Sequence, residues 1–355
     1  MRNILEISGF GNLFLIDPSK RLIEKKNNYS CIDIYLLSNL KVSGQDYVQL
    51  YIINGSKYVI KYSLVNSVRI QKEYEVVSKL KTDKLDSIDG VIIPEALEIE
   101  EKDSGRSCKV LMAPYCGKSL NELMLNRDFF SSDLTSLVKQ IGQILRNVHN
   151  IGQLNHSSVN NSVYEEQCDN FLTSKVNGLY WQKNKILKLK KDIKNKKRKE
   201  IINEINILGT GWTHGDFFPY QIVIGKPKTN SVSIIDWGTA YKGYPFSDLL
   251  QFWVSFELSL LFSGYSKKIN ELLQILSTGY NYDLNNSLYF KIKEIETIAR
   301  FSTLHKLGQW VIPRTEKWKI KSGKSVYFDI SFWKSLYLHN QFLNSKINEL
   351  QRLIQ

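Results

Sequence analysis

Three carboxylates between Thr213 and Asp248 have the types and spacing to work on a phosphate group. Asp216 stands in T-H-G-D-F-F-P-Y-Q-I-V-I, and the amide of Gln221 follows five positions later. Asp236 follows the apolar run 232–235 in S-I-I-D-W-G-T-A, and Asp248 lies in G-Y-P-F-S-D-L-L. The apolar run reads as a buried strand, and Gly238 lets the backbone turn away after it. An acid in a loop, an amide side chain five residues on and a second acid at a strand end suit phosphoryl transfer. One carboxylate orients or accepts the proton of an attacking hydroxyl, while the amide oxygen and the other carboxylate hold Mg²⁺ against ATP phosphates. Taken alone, Asp216 reads as a simple helix cap in a Gly-Asp loop. Its company, His214, Asp236, Asp248 and an upstream Lys61/Glu73 pair, favours catalysis.

Those residues need elements to hold them. Residues 47–53 and 57–62 read as two strands joined by Asn54-Gly55, a strong hairpin signal. Lys61 falls at the end of the second strand, in Val59-Ile60-Lys61. Residues 69–80 read as a helix that offers Glu73 as the lysine's partner, with Glu75 as the competing acid. Residues 91–94 with Ile99, and then 107–112, read as the remaining strands of a small sheet. Residues 137–149 have apolar positions at helical spacing, and His149 at their end reads as a packed structural histidine. Residues 163–178 and 183–199 suggest two further helices, and 249–262, 269–276, 289–307 and 330–353 read as helices after Asp248. Most aromatics of that last region, among them Phe252, Trp253, Trp310, Trp318 and Trp333, are expected in the core.

The motifs resemble the aminoglycoside phosphotransferase and choline kinase-like family, relatives of the protein kinases. His214, Gly215 and Asp216, then Asp236, Trp237 and Gly238, then Gly243, Pro245, Asp248 and Leu249 match its signature; Gln221 stands where the family has Asn. The resemblance implies an α+β, two-lobed, protein kinase-like fold. Residues 1–115 would be the nucleotide-binding lobe, a small antiparallel sheet with one main helix, with 1–40 as a lead-in. Residues 116–355 would be a larger helical lobe with catalytic loop 213–221, metal loop 236–238 and acceptor-binding helices 249–355. It also implies roles: Asp216 as base with His214 ordering its loop, Asp236 and Gln221 as Mg²⁺ ligands, Lys61 on the ATP phosphates and Glu73 as its partner. Ser43 and Gly44 occupy the place of the phosphate-covering turn. Backbone groups around Ala113 and Tyr115, in L-M-A-P-Y-C-G-K-S-L, would meet the adenine, with Pro114 unable to donate. Glutamine adds a methylene to the ligand arm, which Mg²⁺ geometry tolerates poorly.

Composition sets the bounds. With 355 residues, 43% hydrophobic and 12% aromatic, the chain is long and apolar enough to bury a sizeable core and is not a disordered chain. Four cysteines, Cys31, Cys108, Cys116 and Cys168, show no paired metal spacing, and no signal peptide or span-length apolar segment is visible. The reading is a soluble cytoplasmic protein with no membrane span; the sequence leaves its oligomeric state open. Net charge is +13, yet residues 183–199 hold ten bases against Asp192 alone, and outside them 38 bases face 34 acids. Ile186, Leu189 and Ile193 recur there at helical spacing, so the run reads as a surface helix coated with solvated lysines. No aromatic interleaving accompanies it, so no nucleic-acid partner is expected. The positive balance argues against a polycationic acceptor and for a neutral or anionic small-molecule hydroxyl. A peptide Ser/Thr hydroxyl is the alternative acceptor, and a nucleotide-binding pseudokinase scaffold the alternative class.

Overall fold

A computed structural model describes residues 3–7, 11–15, 34–43, 46–53, 56–63, 68–100, 107–124, 134–151, 161–176, 180–225, 232–262, 264–301 and 330–354. The chain divides into two compact units, Met1–Lys118 with Val223–Ala240 and Ser119–Ile222 with Tyr241–Gln355. The segment 236–238, expected with the helical lobe, therefore clusters with the first unit. The cause is hydrogen bonding: Ile234 N–H donates to Gly90 O at 2.7 Å, and Ile92 N–H donates to Ile234 O at 3.0 Å.

In the first unit, strands β1 (Asn3–Ile7) and β2 (Gly11–Leu15) pair as a hairpin. A five-stranded antiparallel sheet has the order β3 (Ile34–Ser43), β4 (Asp46–Ile53), β5 (Ser56–Ser63), β7 (Ser107–Pro114), β6 (Glu95–Glu100). The β4–β5 hairpin is in the expected place; Asn54 and Gly55 lie outside the described residues. Alternation along β5 buries Ile60 and Tyr62 on one face and puts Lys61 on the other. Residues 91–94 are not a strand: Val91 makes an isolated parallel bridge to Ile234 and β6 begins at Glu95. Pro94, with no N–H for a ladder, stands just before that start. Helix α1 (Val68–Thr82) packs on β6 and β7 through Ile70, Val77 and Leu80, a stripe at helical spacing that also buries Glu73. Three short strands, β11 (Val232–Ile234), β10 (Ile222–Ile224) and β8 (Lys118–Ser119), pair in that order.

The second unit is mainly helical, with helices α2 (Leu120–Met124), α3 (Leu134–Asn150), α4 (Asn161–Thr173), α5 (Tyr180–Lys196) and α6 (Arg198–Leu208). After them come α7 (Phe246–Phe262), α8 (Ile269–Tyr280), α9 (Leu288–Phe301) and α10 (Ile330–Ile354). One apolar cluster joins α4, α5, α6, α7, α9 and α10, with Ile186 and Ile193 of α5, Val254 of α7, Ile292 of α9 and Leu343 of α10 at its centre. Phe252 and Trp253 are fully buried, as expected; Trp310 and Trp318 lie outside the described residues. α3 lies close against α8, because a Cβ on Gly279 would stand 2.3 Å from Lys139 O. A two-strand ladder, β9 (Gly211–Thr213) with β12 (Tyr241–Gly243), brings the two ends of the catalytic segment together. Among the described residues no helix is long and apolar enough to cross a membrane.

The basic helix departs from its expected character at one position. Ile186, Leu189 and Ile193 are buried as the spacing predicts, but Lys190 is buried with them, only 1% exposed. Its ammonium lies 2.6 Å from Glu296 Oε1 and donates to Ser174 Oγ at 2.8 Å. A carboxylate and a hydroxyl replace the water it gave up.

Candidate active site

Each compact unit carries one group of the predicted site residues. In the first, β5 holds Lys61 between Val48 of β4 and Leu111 of β7. Its side chain turns inward, 14% exposed, and forms an ion pair with Glu73 Oε2. The Asp236 carboxylate lies 3.7 Å from the same ammonium. Glu73, not the exposed Glu75, faces the lysine, and Arg69 Nε holds its other oxygen at 3.0 Å. Two cations on one nearly buried carboxylate fix its position and through it that of Lys61.

Asp236 departs from ordinary backbone geometry, with φ 63° and ψ 52° in the left-handed region before the 3-10 turn Trp237–Thr239. A non-glycine residue held there is uncommon, and such strain collects at functional sites. Trp237, fully buried, anchors the turn by donating from Nε1 to Ile234 O at 3.1 Å. Gly238 is required by contact: a Cβ there would lie 2.6 Å from Glu73 Cγ. With that close approach, the Asp236 turn sits directly on the glutamate that holds Lys61. The Asp236 side chain itself remains 48% exposed.

The predicted nucleotide-covering and hinge residues are less well defined. Ser43 pairs with Asp46 at the end of the β3–β4 hairpin, and Gly44 lies outside the described residues. Ala113 pairs with Val59 in β7, and Tyr115 N–H donates to Lys57 O at 2.9 Å. The sheet therefore uses the Tyr115 donor that the adenine reading assigned to Pro114's neighbours.

In the second unit, the loop after β9 is held from its backbone. Asp248, buried in the first turn of α7, accepts from His214 N–H at 2.6 Å and from Gly215 N–H at 3.0 Å. The same Oδ2 lies 3.2 Å from His149 Nε2, and His149 Nδ1 lies 2.8 Å from the Tyr280 hydroxyl. A carboxylate only accepts, so Nε2 carries a proton, and in the neutral imidazole Tyr280 donates to Nδ1. His149 is thus the packed histidine that the sequence predicts, with a defined task. Gln251, one turn after Asp248, accepts from Phe217 N–H at 2.8 Å. His214 is fully buried beside the Phe217 ring, 5.6 Å between centroids. Asp216 is half-buried and accepts from the Tyr220 hydroxyl at 2.9 Å, while Gln221 is buried.

Gln251, Tyr220, Tyr280 and Arg69 were not expected from the sequence. The Asp248/Gln251 spacing, i and i+3 on one helix, was the available signal for Gln251; the others act through contacts that no local pattern encodes. Asp236 in the first unit and Gln221 in the second each carry a hard oxygen of the kind magnesium prefers. Among the described residues no three His, Cys, Asp or Glu side chains cluster as a metal site.

The model of the phosphotransferase enzyme family matches residues 60–262 of the chain. No curated protein matches it. Solved structures similar to the chain include a microcompartment-associated aminopropanol kinase, at 13% identity over 90% of this chain and 95% of that one, TM-score 0.47. A spectinomycin phosphotransferase in complex with ADP and spectinomycin is 13% identical over 90% and 93%, TM-score 0.41. The ethanolamine kinase of Plasmodium vivax is 12% identical over 90% and 85%, TM-score 0.43.

Proposed function

The chain belongs to the phosphotransferase enzyme family, and on that premise we propose that it moves the γ-phosphate of ATP to a hydroxyl of a small neutral or anionic molecule. The observation that carries this reading is Lys61, drawn inward between Glu73 and the left-handed Asp236. A lysine held this way by one acid and near a second is suited to bind α- and β-phosphate oxygens beside a metal-holding carboxylate.

The proposed division of labour follows from each residue's surroundings. Lys61 binds phosphate oxygens, and Glu73 fixes its direction. Asp236 and Gln221 would hold Mg²⁺, which when bound neutralises charge on the β- and γ-phosphates. Asp216 orients the acceptor hydroxyl and takes its proton. Tyr220 occupies one oxygen of that carboxylate and leaves the other for the acceptor. His214 and Gly215 contribute through their backbone, held by Asp248, so the loop is set before substrate arrives.

Incubation with γ-labelled ATP, Mg²⁺ and a cell lysate, split afterwards into metabolite and protein fractions, tests the proposal. Label is expected among small molecules. Label confined to protein would overturn the acceptor class, and tight ATP binding with no ADP formed from any pool would overturn the turnover.

A further inference from the structure

Resting on the acceptor reading above, we propose that the half-buried ammonium of Lys293 recognises an oxyanion, so that the molecule phosphorylated carries a phosphate or carboxylate group besides its hydroxyl. Lys293 Nζ lies 4.2 Å from the centroid of Phe171 on α4 and 6.0 Å from that of Tyr289, one turn earlier on α9. Its acidic neighbour is Glu296, whose Oε2 is 3.6 Å away. That carboxylate is already committed, because Oε1 sits 2.6 Å from the buried Lys190. Arg300, a third cation, also bears on Lys293, and burial holds the Lys293 pKa below the usual lysine range.

Among the described residues, then, one carboxylate serves two ammoniums above one aromatic ring. Excess positive charge in a half-buried place is costly unless something negative answers it. Lys190 is 1% exposed and Lys293 29% exposed, so the second is the one that reaches solvent. Ring contacts connect it to the helix that holds the catalytic loop. Tyr289 stacks on Phe246 at 5.7 Å and 16°, and Phe246 begins the helix whose Asp248 holds that loop. Phe218, two residues after Asp216, packs against the same apolar cluster that contains Phe171.

The test uses the full chain saturated with ADP, its lysines labelled with ¹³C-methyl groups, and inorganic phosphate as the probe. The Lys293 resonance is identified by its absence in Lys293→Gln. It is expected to shift saturably, while exposed lysines such as Lys72 drift linearly; a Lys293 response no different from theirs overturns the proposal. In a second arm, acceptors are compared in pairs that differ only by a phosphate or carboxylate. Lys293→Gln should raise KM for the charged member at least tenfold with kcat kept, spare the neutral member, and be rescued by Lys293→Arg. Equal losses on both members would also overturn it. Absence of turnover on every acceptor counts against the proposed function instead, and the phosphate titration then decides the role of Lys293 by itself.

Discussion

At the scale of single residues, the two acids of the proposed site differ in how they are held. Asp216 is a half-buried carboxylate with one oxygen taken by Tyr220; Asp236 is exposed but fixed by a left-handed backbone. Asp216→Asn keeps the hydrogen bond and removes the proton acceptor. It should lower kcat roughly 10²- to 10⁴-fold with KM for ATP nearly unchanged, as steady-state kinetics would show. Gly238→Ala tests the other group. A methyl 2.6 Å from Glu73 Cγ must displace the glutamate or the turn. Weakened ATP binding is expected, read by titration, and unaltered affinity would refute the link between the Asp236 turn and Lys61.

At the scale of elements, charges inside the helical unit decide which helices stay docked. Lys190 joins α5 to α9 through Glu296. Lys190→Met removes a buried ammonium from Glu296 and Ser174, leaves Glu296 with Lys293 alone, and should cost roughly 1–3 kcal/mol, whereas Lys188→Met, on the exposed face, should stay within about 0.5 kcal/mol; urea unfolding compares them. Helix α10 is tied down by Lys346, which reaches Glu257 on α7 and Glu294 on α9, and Trp253 Nε1 donates to Glu294 at 2.8 Å. Burial, and then the neighbouring Glu294, push the Glu257 pKa up from 4.5 to about 8, against the opposite pull of Lys346. The folded state therefore keeps a proton that the unfolded chain releases. Stability from this group is fullest below pH 4.5 and declines as pH rises to about 8, by about 1.4 kcal/mol per pH unit at most. Glu257→Gln, which mimics the protonated acid, should flatten that slope in unfolding midpoints measured across the window.

At the scale of the whole molecule, the chain crosses between its compact units three times, after residues 118, 222 and 240. Asp216 and Asp236, twenty positions apart, fall in different units. Ligand linkage gives a test on the intact chain: Mg-ATP at a hundred times its Kd should add about 2.7 kcal/mol of stability. Lys61→Met should abolish the corresponding rise in Tm and Asp216→Asn should retain it. Loss of the rise in Asp216→Asn would reverse the two roles.

Local patterns carried much of this in advance. The β4–β5 hairpin, the α1 stripe and the helical runs after Asp248 each depend on near neighbours, and periodicity states such preferences directly. Lys61 with Glu73 was also legible, because a strand-end lysine and a helix acid appear in a known order. What the sequence by itself determined was therefore the set of elements, the reactive groups they carry and the family those groups announce. Only the tertiary structure decided which unit takes the Asp236 turn, that Asp236 approaches the same ammonium as Glu73, and that one lysine of a seemingly solvated helix is buried. Those outcomes depend on hydrogen bonds, close approach and desolvation between residues far apart in the chain, and no window of local sequence contains both partners.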